Sequence, residues 1–161
     1  ITEEYFIGMC ESLLKDKIVN ELKSLTLIPP LIPVKSKSPL IMAWNSGERY
    51  LRLSLAKMRA EKMKKTFDLQ DEFLPSEYVK VASSAVEIDN PLEAEKFLTE
   101  YRLNFLESLR PTDSFFFFFI YYYFLRLKLL KRMRQFNVEE GENTYKNIYN
   151  SIMNGDKTEG M

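Results

Sequence analysis

The chain has 161 residues, and its 23 lysines and arginines equal its 23 aspartates and glutamates in number, so its formal net charge at pH 7 is zero. A neutral chain has no overall field that attracts nucleic acid or acidic lipid. Histidine is absent and Cys10 is the single cysteine, which excludes a histidine base, an internal disulfide and a cysteine-based zinc site. The five glycines form no phosphate-binding motif. We therefore expect no catalytic, cofactor-binding or metal-binding residues.

The first predicted helix covers residues 2–25, where apolar side chains recur every three or four residues and so share one face. Residues 27–39 follow with four prolines. Because proline lacks a backbone N–H donor, this stretch predicts an extended connector that is partly buried. No basic segment followed by an apolar core begins the chain, so we expect no secretory signal.

The second predicted helix covers residues 43–67 and is basic outside its apolar stripe. Seven lysines and arginines stand there against two glutamates. Two interpretations remain open at this point. The cations form either a solvated outer face, which is common on helices, or a docking face for an acidic partner.

A short helix is predicted over residues 76–86, and a longer one begins at Asn90. Asn90 can accept a hydrogen bond from the first turn, and Pro91 fits the first helical position, where no N–H donor is needed. The same helix is expected to end at Arg110, because the residue before Pro111 is pushed out of the helical conformation.

Residues 113–136 read DSFFFFFIYYYFLRLKLLKRMRQF. The uninterrupted apolar run, Phe115 to Leu125, has 11 residues, too few for a membrane span, which takes roughly 20. Capping residues before the run and apolar positions beyond it favour one helix over a strand. A helix that is apolar all round must be covered all round. Either this chain or a neighbouring subunit supplies the cover, and the second half of the helix is amphipathic and basic.

The last predicted helix begins at a capping arrangement starting with Asn137. The polar residues 155–161 predict a disordered tail. No alternating strand pattern occurs in the chain. The sequence therefore predicts an all-α fold, a bundle or array of about five main helices, in a single helical domain over residues 1–154.

Three stretches resemble a bacterial family of C-like subunits of the V-type (A/V-type) ATP synthase. They are WNSGERYLRLSLAKMRAEKMKK at 44–65, NPLEAEKFLTEYRLNFLESL at 90–109 and IYYYFLRLKLLKRMRQFNVEEG at 120–141. Together they cover the last two thirds of the chain. Met133 stands where the family has tryptophan, and the phenylalanine run is more uniform than in the family. The matching motifs are helix-packing patterns rather than site chemistry.

The resemblance implies an all-α, non-catalytic rotor or central-stalk subunit of a proton- or sodium-translocating V-type ATPase. Such a subunit lies between the central stalk and the membrane-embedded ring, so its partners are other subunits of the complex. It would be cytoplasmic and held peripherally at the cytoplasmic membrane, without a membrane span. Under this interpretation, basic and aromatic side chains are candidates for contacts between subunits: Arg49, Arg52, Arg59, Lys131, Arg132, Phe118 and Tyr122.

The alternative is a free-standing helical adaptor or a nucleic-acid-associated module that uses the basic faces of residues 43–67 and 126–134. Phosphate recognition needs a concentrated positive surface. Residues 87–100 instead carry five acids against Lys96. We therefore expect no nucleic-acid partner.

Overall fold

The structure is a computed structural model that describes residues 1–32, 35–69, 72–113 and 117–159, with only the backbone described at 139, 140 and 156–159. The described residues form helices and contain no strand, which confirms the all-α prediction. The helices are α1 (Glu3–Leu13), α2 (Asp16–Ser24), α3 (Pro39–Lys62), α4 (Ser76–Glu87), α5 (Pro91–Ser108) and α6 (Phe118–Glu159).

Side-chain caps start three of these helices. Thr2 Oγ1 accepts a hydrogen bond from the N–H of Tyr5 at 3.2 Å at the start of α1. Asn90 Oδ1 accepts from the N–H of Leu92 at 2.9 Å, and Pro91 follows as the first residue of α5, as predicted. Ser38 caps α3, which therefore begins four residues before the expected start at residue 43.

Two more helix boundaries differ from the predictions. The first predicted helix is two helices, because the chain is extended at Leu14 and Lys15 between α1 and α2. Helix α3 ends at Lys62 instead of residue 67, and Lys64 adopts a left-handed φ of 56° just beyond it. A left-handed residue commonly ends a helix because it turns the chain away from the helix axis.

Helix α6 is continuous over 42 residues, about 63 Å at 1.5 Å per residue. The predicted new helix start at Asn137 is wrong. Extending an existing helix costs less free energy than nucleating another, and no proline interrupts this segment. Residues 155–159 also continue the helix, where a disordered tail was expected, and residues 160 and 161 lie outside the described residues.

The larger apolar core surrounds the first half of α6. Helices α1 and α2, the start of α3 and the end of α5 pack against it. Tyr121, Phe124 and Leu125 are at most 1% exposed. The ring of Phe6 in α1 stacks on that of Phe124 with centroids 5.8 Å apart. This chain therefore buries Tyr121, Tyr122, Phe124 and Leu125 itself and covers residues 118–120 and Tyr123 in part, whereas Phe117 is 37% exposed. Phe115 and Phe116 lie outside the described residues.

A smaller core joins the second half of α3 to α4 and the first half of α5, with Leu51, Leu55 and Leu98 at its centre. Gly47 lies in α3 where α4 and α5 approach it. A Cβ atom there would lie 2.5 Å from the ring of Phe105 and 3.1 Å from the hydroxyl of Tyr78. The close approach of the three helices therefore depends on the missing side chain at this position.

Candidate functional site

A buried ion pair joins α3 to α5. The carboxylate of Glu48 is 2% exposed, and Arg102 is 8% exposed. Arg102 donates from Nε to both oxygens of Glu48 at 3.0 Å and from Nη2 to Oε1 at 2.8 Å. Arg52, one helical turn after Glu48, is a second cationic partner, with its Nε 3.0 Å from Glu48 Oε1. One buried carboxylate is thus shared by two guanidinium groups, a geometry that offsets the cost of burying it.

Beside this pair lies a cavity of about 510 Å³, which we call the arginine cavity. Its walls come from α3, α5, α6 and the segment 26–28 that follows α2. Leu55, Leu98 and Leu129 supply its apolar floor, and all three are buried. Its charged lining consists of Arg52, Arg59, Arg102, Arg132 and Glu95.

The charges around the arginine cavity do not balance. Arg132 Nη2 lies 3.0 Å from Glu95 Oε2, and its guanidinium stacks over the ring of Phe136 at 5.2 Å. The side chain of Arg59 is exposed and makes no hydrogen bond or ion pair with the part of the chain that the structure describes. Counting the Glu48 carboxylate, four guanidinium groups face two carboxylates, which leaves two positive charges at the cavity.

The structure brings three of the predicted interface residues, Arg52, Arg59 and Arg132, to this one cavity. It places the other two cations elsewhere. Arg49 pairs with Glu72 and donates to the carbonyl oxygen of Leu31 at 3.4 Å. Lys131 lies 3.5 Å from a carboxylate oxygen of Glu3 in α1.

The two predicted aromatic contacts lie in the larger core. Phe118 is half-buried and packs against that core. Tyr122 is 3% exposed, and its hydroxyl donates to Glu107. Burial raises the pKa of Tyr122, and the hydrogen bond to Glu107 acts in the same direction. Tyr122 therefore packs inside the chain and leaves almost no exposed surface of its own.

Three residues of this site, Glu48, Glu95 and Arg102, were not predicted from the sequence. A signal was present for two of them. Glu48 precedes the buried Leu51 by three residues, and Arg102 follows the buried Leu98 by four, so each charge lies in phase with an apolar stripe. A charged residue at such a position is buried and needs an oppositely charged partner.

A second surface is the half of α6 that extends past Phe136. Every side chain described over residues 137–155 is exposed. Large apolar side chains recur there at intervals of three, four and seven residues, which places them on one face of the helix. We call this face the exposed stripe: Val138, Tyr145, Ile148, Tyr149 and Ile152.

A family model described as "Protein of unknown function (DUF2764)" matches residues 36–156, about three quarters of the chain. The chain belongs to this family. No curated protein and no solved structure matches the chain.

The DUF2764 match extends from just before α3 nearly to the end of α6. It therefore includes the Glu48–Arg102 pair, all four arginines of the cavity and the whole exposed stripe. Helices α1 and α2, which form part of the packing around the aromatic segment, precede it. Within the described part of the chain, no helix combines the length and the apolar character needed to cross a membrane. The same residues contain no group of three or more acidic or cysteine side chains arranged to hold a metal ion.

Proposed function

We propose that this protein is a non-catalytic subunit of a V-type ATPase or ATP synthase, and that it couples the central stalk to the membrane-embedded ring. The resemblance of residues 44–65, 90–109 and 120–141 to the family of C-like subunits supports this proposal. The all-α fold is consistent with it. The exposed stripe of α6 is the structural observation that carries it.

The exposed stripe supports an assembly role because it carries large apolar side chains, as a buried helix face does, yet these side chains are exposed to solvent. Tyr145, Ile148 and Ile152 are 70%, 57% and 60% exposed. The opposite face carries Asn143, Asn147 and Asn154. In proteins an amphipathic helix gains most of its stability by packing its apolar face. A helical partner in a multi-chain complex can supply that packing.

Affinity purification from the source cells tests the proposal. A tagged chain is expressed, membranes are solubilised in mild detergent, and bound proteins are identified by mass spectrometry. We expect the stalk and ring subunits of a rotary ATPase to co-purify. We also expect a salt wash of intact membranes to release the protein, as it releases a peripheral subunit. Recovery of the chain only in free form, from cells whose ATPase is intact, would contradict the proposal.

Paired variants on opposite faces of α6 test whether the exposed stripe makes the contact. The double variant Ile148→Asp and Ile152→Asp adds two charges to the stripe, and we expect it to abolish co-purification. The matched control, Asn147→Asp and Asn154→Asp, adds the same charge to the same helix on the opposite face. We expect this control to co-purify as the wild type does. Equal loss in both variants would assign the contact to another surface.

The geometry supports the nucleic-acid alternative less well. Several cations of the two basic segments are held in pairs within the chain, such as Arg49 with Glu72 and Lys128 with Glu3. A salt titration of binding to nonspecific DNA separates the two functions. A steep fall of the association constant with salt would favour the alternative, and an absence of binding at low salt would remove it.

A further inference from the structure

We propose that the arginine cavity is a binding site for a ligand that carries a phosphate group. Arg52 and Arg59 from α3, Arg102 from α5 and Arg132 from α6 converge on it. Four arginines from three helices meet at one concave surface only because the tertiary fold brings them together. This inference is independent of the proposed assembly role, which depends on the far half of α6.

The unbalanced charge of the cavity favours a dianion. Glu48 is shared by Arg52 and Arg102, and Glu95 pairs with Arg132. Arg59 has no acidic partner among the described residues. The two remaining positive charges match the charge of a phosphate monoester near neutral pH. Guanidinium groups bind phosphate oxygens through two parallel hydrogen bonds, which makes arginine a preferred residue for such ligands.

The shape of the arginine cavity indicates that the phosphate is attached to an organic group. A volume of about 510 Å³ lies within the range of small-molecule sites, roughly 300 to 1,000 Å³. Leu55, Leu98 and Leu129 form an apolar floor beside the guanidinium groups. Arg52 Nη2 also approaches the carbonyl oxygen of Leu27 at 3.5 Å, which holds the segment after α2 against α3 as a side wall.

The phosphate group of the ligand can belong to a soluble metabolite or to a lipid headgroup, and three probes distinguish these two sources. Pyrophosphate tests the phosphate group alone, and ATP tests a phosphate group with an organic part. Vesicles containing phosphatidic acid, whose headgroup is a phosphate monoester, test the headgroup source, with phosphatidylcholine vesicles as their reference. Calorimetry at a fixed, moderate salt concentration measures binding of each probe to the full chain. A thermal melt gives a second readout, because a ligand that binds only the folded state raises the Tm.

The deciding comparison uses Arg59→Gln and Arg132→Gln in the cavity against Arg134→Gln as the control. Arg134 is exposed on α6 and outside the arginine cavity, and its substitution removes the same charge from the protein. We expect at least one probe to bind with a Kd below about 1 mM. Each cavity variant should weaken that binding by about tenfold or more, and the control should change it by less than about twofold.

Each outcome bears directly on the proposal. Arginine-dependent binding of pyrophosphate or ATP supports a soluble ligand, and arginine-dependent binding of anionic vesicles alone supports a lipid headgroup. Saturable binding of none of the probes would overturn the proposal. Equal weakening of binding by Arg134→Gln would overturn the proposal as well, because the loss of binding would then follow from the change in net charge alone. Circular dichroism of each variant confirms that the fold is retained.

Discussion

The two halves of α6 have similar helical geometry and contrasting surroundings. Over residues 118–136, α1, α2, α3 and α5 cover the helix, and Leu125 and Leu129 are fully buried. Over residues 137–155, every described side chain is exposed, including the isoleucines and tyrosines of the exposed stripe. Apolar spacing is present in both halves. The spacing of apolar residues therefore shows which face of a helix must be buried. Whether this chain buries that face depends on its neighbouring helices.

The largest expected effect on the free energy of unfolding is at the buried Glu48–Arg102 pair. Replacing Glu48 by Gln leaves Arg102 buried without its carboxylate, and we expect a loss of about 3 to 5 kcal/mol in unfolding free energy. The control is Glu11→Gln, which breaks a pair with Lys23 in which both side chains are about half exposed. That change should cost less than about 1 kcal/mol. Urea denaturation measures both, and similar losses would show that burial does not decide the strength of these pairs.

Truncating one apolar residue in each half of α6 tests the contrast directly. Leu125→Ala empties a fully buried position, and we expect it to cost about 2 to 5 kcal/mol. Ile148→Ala, at a position that is 57% exposed, should change the unfolding free energy by no more than about 0.5 kcal/mol. Denaturant melts of the isolated protein give both values. A large loss for Ile148→Ala would mean that the far half of α6 packs against something in the isolated protein.

The close approach of α3 to α4 and α5 predicts an effect of intermediate size. Gly47→Ala places a methyl group 2.5 Å from the ring of Phe105, and we expect overpacking to cost about 1 to 3 kcal/mol. Gly8→Ala in α1 is the matched control, because nothing lies within 4 Å of its added Cβ. There the better helix propensity of alanine should stabilise the protein by up to about 1 kcal/mol. Opposite signs of the two changes in Tm would confirm the close helix contact.

The smallest effect at neutral pH is expected at Tyr101, whose buried hydroxyl has no hydrogen-bond partner among the described residues. Burial raises its pKa to about 12, and the neighbouring Tyr78 acts in the same direction. The folded state therefore holds the proton more tightly than the unfolded state, where the pKa is about 10. This contribution to stability is complete below about pH 10 and is lost as the pH rises through about 12.

Tyr101→Phe isolates that contribution. At about pH 7 the variant should be as stable as the wild type or slightly more stable, because an unpaired hydroxyl is no longer buried. Between about pH 10 and 12 its stability should fall less steeply than that of the wild type. Urea melts across this interval measure the difference, and parallel curves for the two proteins would contradict the assignment.

The positions of the helices could largely be predicted from the sequence. The caps at Asn90 and Pro91 locate the start of α5, and the prolines of residues 27–39 separate α2 from α3. Among the boundary predictions that were wrong, two failed for local reasons. Capping residues at Asn137 did not end a helix that could simply propagate, and the extended residues between α1 and α2 carried neither proline nor glycine as a signal.

Local residue patterns were enough to specify the helical class, most helix positions and the apolar faces, because these depend on residues three or four positions apart. The meeting of Glu48 with Arg102, 54 residues away, came from the tertiary structure. So did the packing of α1, α2, α3 and α5 around the aromatic segment, and the lining of one cavity by arginines from three helices. Such contacts depend on how the helices cross, and a crossing angle is set by packing across the whole core rather than by any local pattern.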